Sequence, residues 1–526
     1  MEVAAALCWV GACSLALYLY HVLWLAPQRL RAALRSQGIG GPSPSFPYGN
    51  IAEMRQAAAC AKTTTAADHQ RGIIVHDYRP AVFPFYEKWR NQYGPVFCYS
   101  IGNMVFLHAS RADVVRDLCT SVSPLDLGKS SYMKVTHRPL FGDGILKSSG
   151  EAWAYQRKLI APEFFPDKVK AMAHLMVDSA MALVKSWEDR LISDSNGGGV
   201  SCLLELKVDD DLRAYSADVI SRTCFGSSYV KGKRIFAMIR ELQKAVSKPN
   251  LLAEMTGLSY LPTRSNRAAW RLNRLVRELI LDVARENNEG DDGNLLNAML
   301  RSVAGSGGGH AAATAEDFVV DNCKNIYFAG YETTAMTAAW CMMLLALHPE
   351  WQDQVRDEAR QACAGCVAAA PDFASLQKMK KLTMVIQETL RLYPAGSVVS
   401  RQALRDVTLG GVRVPAGVNI YVPVSTVHLD PELWGAGARE FDPTRFAGAA
   451  RPQQQQPHAY LPFGAGARTC LGQGFAMAEI KVLLALVISR FELSLSPDYQ
   501  HSPALRLIVE PEHGVRLVLK NVEPNC

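Results

Sequence analysis

One cysteine in this chain stands in a setting suited to holding it as a thiolate. Residues Phe463 to Gly474 read FGAGARTCLGQG, so Cys470 is fenced by four glycines, and the apolar run FAMAEIKVLLALVISRF follows at once. That run has helical periodicity, and a thiol at or just before a helix N-terminus meets unpaired N–H groups and the positive end of the helix dipole, which favour an anion. Gly464, Gly466 and Gly472 free the backbone to turn tightly and to aim N–H groups at the sulfur, which tunes a metal thiolate. Arg468 offers a partner for a carboxylate on whatever lies over the sulfur. A cysteine ahead of a helix is most often a packing residue. What singles this one out is the spacing F-x-x-G-x-R-x-C-x-G, carried by Phe463, Gly466, Arg468, Cys470 and Gly472.

Three further groups carry chemistry or charge. In FAGYETT, Phe328 to Thr334, Ala329 and Thr333 are four apart and share a helical face, which Ala329 and Gly330 keep shallow enough for a small ligand. Thr333 can bond to its own helix and open a local groove, with Glu332 an acid one residue away. In ETLRLYP, Glu388 and Arg391 are three apart, near enough to pair, and FDPTRF supplies Arg445. In GEAWAYQRKLIAPEF, Trp153 and Arg157 are four apart on one face. Taken singly, each has an ordinary reading: a back-bonded threonine, a solvated ion pair of a few tenths of a kcal/mol, a surface aromatic–cation pair.

The elements that must position these residues are mostly helices. From about residue 80 onward, amphipathic stretches at 168 to 190, 265 to 285, 350 to 363 and 376 to 392 predict helices, and 96 to 108, 411 to 423 and 505 to 520 predict short strands. The fold class is therefore mainly α with minor β-sheets. Segments 305 to 314 and 451 to 458 read as surface loops, and no repeat or long linker divides the body. A formal charge of +6 over 526 residues, with no basic run interleaved with aromatics, excludes nucleic acid as a partner. The thirteen cysteines are scattered, unlike a secreted disulfide scaffold, and the one C-x-x-C, Cys363 and Cys366, lacks the further ligands of a zinc site.

Residues 3 to 25, VAAALCWVGACSLALYLYHVLWL, are apolar and long enough to cross a hydrocarbon core of about 30 Å at about 1.5 Å per residue. A cleavable signal would start basic and be shorter. Arg29, Arg31 and Arg35 follow, which puts the rest of the chain on the cytosolic side of a single-pass anchor. Pro42, Pro44 and Pro47 stiffen the next segment, giving an expected organisation of an anchor at 1–27, a basic, proline-rich hinge at 28–50 and one catalytic domain at 51–526.

Taken with its neighbours, the Cys470 loop resembles the haem-binding loop of the cytochrome P450 superfamily, and the resemblance covers nearly the full length. It implies the cytochrome P450 fold, haem b as cofactor, Cys470 as the thiolate on the iron, and Arg468, Trp153, Arg157 and Arg401 as partners of the haem propionates, with Phe463, Gly464, Gly466 and Gly472 shaping the loop. It also implies Thr333 and Glu332 as the distal pair that holds dioxygen and relays protons, and Glu388, Arg391 and Arg445 as a buried charge triad. Thr444 departs from the charged residue that many relatives carry in P-x-R-F. The expected reaction is insertion of one oxygen atom into a lipophilic small molecule. No Gly-rich dinucleotide fingerprint is present, so a separate NADPH-cytochrome P450 reductase is the expected electron source, on the endoplasmic reticulum membrane.

SQGIGGPSPSFPYGNIAEM and NIYFAGYETTA look like the plant branch that includes the 714 family, several members of which oxidise gibberellins, so a gibberellin or related diterpenoid acid is the expected substrate. Brassinosteroids, cytokinins and other terpenoids are the alternatives. Two other classes remain: a peroxide-rearranging haem-thiolate enzyme, against which Thr333 stands, and a non-catalytic haem sensor or carrier.

Overall fold

In the computed structural model, which describes residues 2–69, 74–195, 203–226, 229–246, 261–287, 294–305, 312–362, 373–448 and 457–522, the periodic stretches are helices. The segment 168 to 190 lies inside Pro166–Ser195, 265 to 285 inside Arg264–Asn287, and 350 to 363 largely within Pro349–Ala362. The stretch 376 to 392 differs: it breaks at Met379 into Phe373–Lys378 and Lys380–Leu392. Glu358 supplies the reason, because its carboxylate accepts from the backbone N–H groups of Lys380, Lys381 and Leu382 and so caps a new helix start. The predicted loops at 305 to 314 and 451 to 458 fall largely, and the C-x-x-C wholly, outside the described residues.

Eight helices and five strands position the site. They are α1 (Glu2–Tyr20), α2 (Ala26–Arg35), β1 (Val96–Ile101), β2 (Met104–Ala109), β3 (Leu127–Gly128), α3 (Gly150–Ile160), α4 (Pro166–Ser195), α5 (Asp209–Phe225), α6 (Ala312–Leu347), α7 (Lys380–Leu392), β4 (Val398–Ala403), β5 (Asn419–Pro423) and α8 (Gln473–Arg490). The long helix α6 runs through the core: Trp340 to Leu345 are wholly buried, and α5, α7 and α8 pack around it. Helix α8 is buried almost all round from Ala478 onward, as the apolar run from Val482 to Ile488 requires.

The five strands form one sheet in the order β1-β2-β5-β4-β3. Strands β4 and β5 are antiparallel with Arg401 opposite Ile420, and β3 pairs with β4 through Leu127–Ala403 and Gly128–Gln402. Continuing that register brings Lys129 alongside Arg401. Val399, Arg401 and Ala403 share the buried face of β4, so alternation sets a cation among apolar residues.

At the N-terminus α1 has no buried residue, and a π-helical turn, His21–Leu25, joins it to α2 without a break. Among the described residues, Glu2–Arg35 is the one helix long and apolar enough to cross a membrane. Where the sequence suggests a hinge over 28–50, the chain is instead fastened to the sheet. Arg31 and Leu34 are buried, Arg31 donates to the Ser100 hydroxyl at 2.8 Å, and Gln37 makes two hydrogen bonds with the Arg413 backbone, both 2.8 Å. Arg31 thus serves packing, and Arg29 and Arg35 are the exposed cations of the turn.

Candidate active site

Cys470 lies between a 3-10 turn, Gly466–Arg468, and α8, whose N-cap is Gly472. Its N–H donates to the Phe463 carbonyl at 2.8 Å, which closes the loop on itself. Gly464 and Gly466 both have φ of +69°. At 466 a Cβ would also stand 1.9 Å from the Cys119 carbonyl oxygen, so both conformation and space demand glycine. The Gly472 N–H points at the Cys470 sulfur and Arg157 lies near, yet burial outweighs both and raises the thiol pKa. The same thiol is accessible.

Cations gather around this loop without counter-ions. Arg468 donates to the carbonyls of Ser148 (3.2 Å) and Leu127 (3.3 Å), and its buried Nε has no partner. Among the described residues Arg401 reaches only the neighbouring Ser400 carbonyl. Burial lowers both to a pKa of about 10. Lys129 is lowered further, to about 7, by burial first and then by Arg401 and Arg468. Burial, Arg468 and Lys147 also lower Lys134. Among the described residues no carboxylate lies within ion-pair distance of Arg401, Arg468 or Lys129. Buried charge of one sign is costly unless something of the other sign arrives. One accessible thiol among several uncompensated cations therefore fits an anionic ligand that carries a thiol-binding metal.

Trp153 lies between two guanidinium groups, Arg468 at 4.1 Å and Arg157 at 5.8 Å from its ring centroid. Arg157 donates to the Thr469 carbonyl at 3.0 Å and so braces the cysteine loop.

On α6, positions 322 to 345 are buried except Ala329, Gly330 and Thr333, which form a small accessible face as their spacing implies. Thr333 Oγ1 donates to the Ala329 carbonyl at 2.6 Å. Gly330 packs so tightly on α5 that a Cβ would stand 2.3 Å from Ile220 Cδ1. Glu332, expected as an acid beside Thr333, is buried and ion-paired with Arg213 of α5 at 3.0 Å. Arg213 also holds Glu510 at 3.2 Å, and Glu332 Oε2 has no partner.

The Glu388–Arg391 pair of α7 is wholly buried and bidentate, with both bonds 2.7 Å. Arg391 further donates to the carbonyls of His428, Ala438 and Glu440, and Glu388 accepts from the Asp442 N–H. Arg445 approaches Glu388 at 3.6 Å and is held by the Trp434 and Gly437 carbonyls.

Sequence reasoning missed three residues here. Lys129 has no local motif, and only strand pairing brings it to Arg401. His428 accepts from the Leu461 N–H at 2.8 Å through Nε2, so its Nδ1 carries the proton and donates to the Arg391 carbonyl at 3.0 Å. It thereby links the charge triad to the chain entering the cysteine loop, and burial keeps it neutral, with a pKa of about 3. Arg213 lies 119 residues from Glu332, beyond any periodicity.

A family model described as Cytochrome P450 matches residues 73–518. Over 523 residues the chain is 72% identical to "Cytochrome P450 714B1" of Oryza sativa subsp. japonica, covering 98% of this chain and 96% of that protein. It is 64% identical over 530 residues to "Cytochrome P450 714B3" of Zea mays, covering 100% of this chain and 97% of the other. A solved structure, the haem domain of cytochrome P450DA, superposes with a TM-score of 0.71 at 23% identity, covering 85% of this chain and 94% of that one, and so shares the fold.

Proposed function

The chain belongs to the cytochrome P450 family, in its plant 714 branch, and from that premise we propose that it oxidises a gibberellin or a related diterpenoid acid at the cytosolic face of the endoplasmic reticulum. Monooxygenase activity with haem b is the property of the family. When bound, a haem with a thiolate ligand supplies the O–O cleavage from which one oxygen atom reaches an unactivated bond.

The residues divide the remaining work. Cys470 is the iron ligand in this reading, its sulfur steadied by the Gly472 N–H and its loop by Arg157. Arg468, Arg401 and Lys129 neutralise the two propionates, which accounts for cations that otherwise lack counter-ions. Thr333 holds a proton at Oγ1 on the open face of α6, and turning that hydroxyl from the Ala329 carbonyl presents it on that face. Glu332, held by Arg213, keeps a buried carboxylate next to it. Electrons come from a separate redox partner, for which NADPH-cytochrome P450 reductase is our assignment.

The cation cluster around Cys470 carries the monooxygenase reading, and identity along nearly the whole chain with 714-branch proteins carries the substrate class. The test is to express the full chain in membranes with a reductase and supply gibberellins, their kaurenoid precursors and steroids, seeking a product heavier by one oxygen atom. Turnover of steroids alone would overturn the substrate class and leave the monooxygenase standing. Failure to consume NADPH and dioxygen with any of them would favour a haem carrier.

A further inference from the structure

We propose that Phe46 and Tyr48, from the proline-rich segment after the anchor, join Tyr20 and Trp24 of the anchor helix in an aromatic collar seated at the headgroup–acyl boundary of the bilayer, fixing the stance of the catalytic body. This rests on reading Glu2–Arg35 as a membrane anchor.

Level is the first consideration. Helix α1 has 19 residues, about 28 Å at about 1.5 Å each, close to the roughly 30 Å of a hydrocarbon core. Tyr20 and Trp24 therefore reach the interface, where amphipathic rings are favoured. Phe46 belongs to the body, yet its ring centroid lies 5.7 Å from Trp24 and 6.5 Å from Tyr20. Whatever depth those two residues take, Phe46 shares it. The body cannot hang free of the surface.

Exposure is the second. Phe46 is 55% exposed and Tyr48 44%. With α1 in lipid, their open faces meet the interface, and Arg29 and Arg35, both exposed just beyond, meet the headgroups.

Rigidity is the third. Arg31 is buried against Ser100 with its guanidinium 5.3 Å from the Trp24 ring centroid, so one side chain ties the collar to β1. Gly49 bridges Ile101, the Cys98 N–H donates to the Gly40 carbonyl, and Asn50 accepts from the Ser100 N–H at 2.9 Å. The segment from 26 to 50 runs along the sheet edge as part of the body. A fixed post results.

The test places a photoreactive benzoylphenylalanine at position 46, or in a second protein at 48, in the full haem-loaded chain bound to vesicles of phosphatidylcholine and phosphatidylserine. Exposed Tyr155 of α3 is the control position. We expect co-flotation in every case and lipid adducts from 46 and 48 but not from 155. Flotation without lipid adducts at 46 and 48, or adducts only to a second copy of the chain, overturns the collar and leaves the anchor intact. Failure to float overturns both. A Phe46→Ser/Tyr48→Ser protein should still float, while linear dichroism of the Soret band in oriented bilayers shows a broader distribution of haem tilt. An unchanged distribution would mean the collar does not set the stance.

Discussion

At the scale of single residues, the site is an electrostatic problem posed by buried cations. Lys129 shows it most clearly. Without haem, burial, Arg401 and Arg468 hold its pKa at about 7, against 10.5 for a free lysine. A base lowered in the folded state weakens folding wherever the unfolded chain binds the extra proton, so the penalty is full below about pH 7 and is relieved as pH rises towards 10.5. Lys129→Met should therefore raise the apparent melting temperature of the haem-free protein at pH 7. In the proposed arrangement the same change removes one charge-assisted bond to a propionate, about 1.5 kcal/mol, so haem transfer to apomyoglobin should quicken by about tenfold. Equal transfer rates would show that Lys129 faces no carboxylate. Thr333 makes a separate prediction. Thr333→Ala should keep the haem spectrum and NADPH consumption while product falls by about a hundredfold and peroxide accumulates. Undiminished product would revive the peroxide-rearranging class, which needs no distal hydroxyl.

At the scale of elements, the cysteine loop depends on one close approach. Gly466→Ala would force a side chain into φ +69° and against the Cys119 carbonyl. The strain alone costs about 1–3 kcal/mol. We expect a lower apparent melting temperature and a weakened thiolate Soret band in the carbon-monoxide complex, whereas Gly474→Ala, where a Cβ meets nothing within 4 Å, should change neither. The reason for glycine at 466 was only half legible in the sequence. The loop spacing announced a tight turn, because it is written within ten residues. The partner, Cys119, is more than three hundred residues away and no pattern pointed to it. The same distinction runs through the molecule. Trp153 with Arg157, Glu388 with Arg391, and Ala329 with Thr333 were readable because helical periodicity puts each pair on one face. Lys129 beside Arg401, Arg213 on Glu332, and His428 between α7 and Leu461 depend on strand pairing and helix packing. The segment over 28–50 follows the same rule: prolines mark an extended stretch, but only the sheet edge it pairs with decides how that stretch is held.

At the scale of the whole molecule, buried titratable groups of two kinds oppose each other in pH. His76 and His137 are lowered to about 4, and His108 and His428 to about 3, each by burial first. Such groups stabilise fully above the unfolded value of 6.5 and lose that contribution as pH falls to 3–4. Glu479 behaves in reverse. Lying between α8 and α5, bonded to the Ser216 hydroxyl at 2.6 Å with Oε2 unpartnered, it is pushed up to about 8 from 4.5. Its contribution is full below pH 4.5 and is lost as pH rises through 8; Asp209 and Glu510, also raised by burial, act in the same direction. Each group sets a slope of at most about 1.4 kcal/mol per pH unit. Below pH 6.5 the histidine contributions are lost as pH falls, and the Glu479 contribution is lost separately as pH rises through about 8. The apparent melting temperature of the haem-loaded chain, at fixed scan rate, should therefore fall as pH drops from 6.5 towards 4, with a separate loss from Glu479 on the alkaline side. Glu479→Gln should flatten the alkaline limb. His108→Phe should flatten part of the acid limb, and it should stabilise at every pH, because both ring nitrogens of His108 lack partners among the described residues and its ring already stacks on Phe97 at 4.3 Å. A maximum at pH 8 or above, unmoved by Glu479→Gln, would mean that Glu479 is already ionised at neutral pH and that another charge compensates it inside the core.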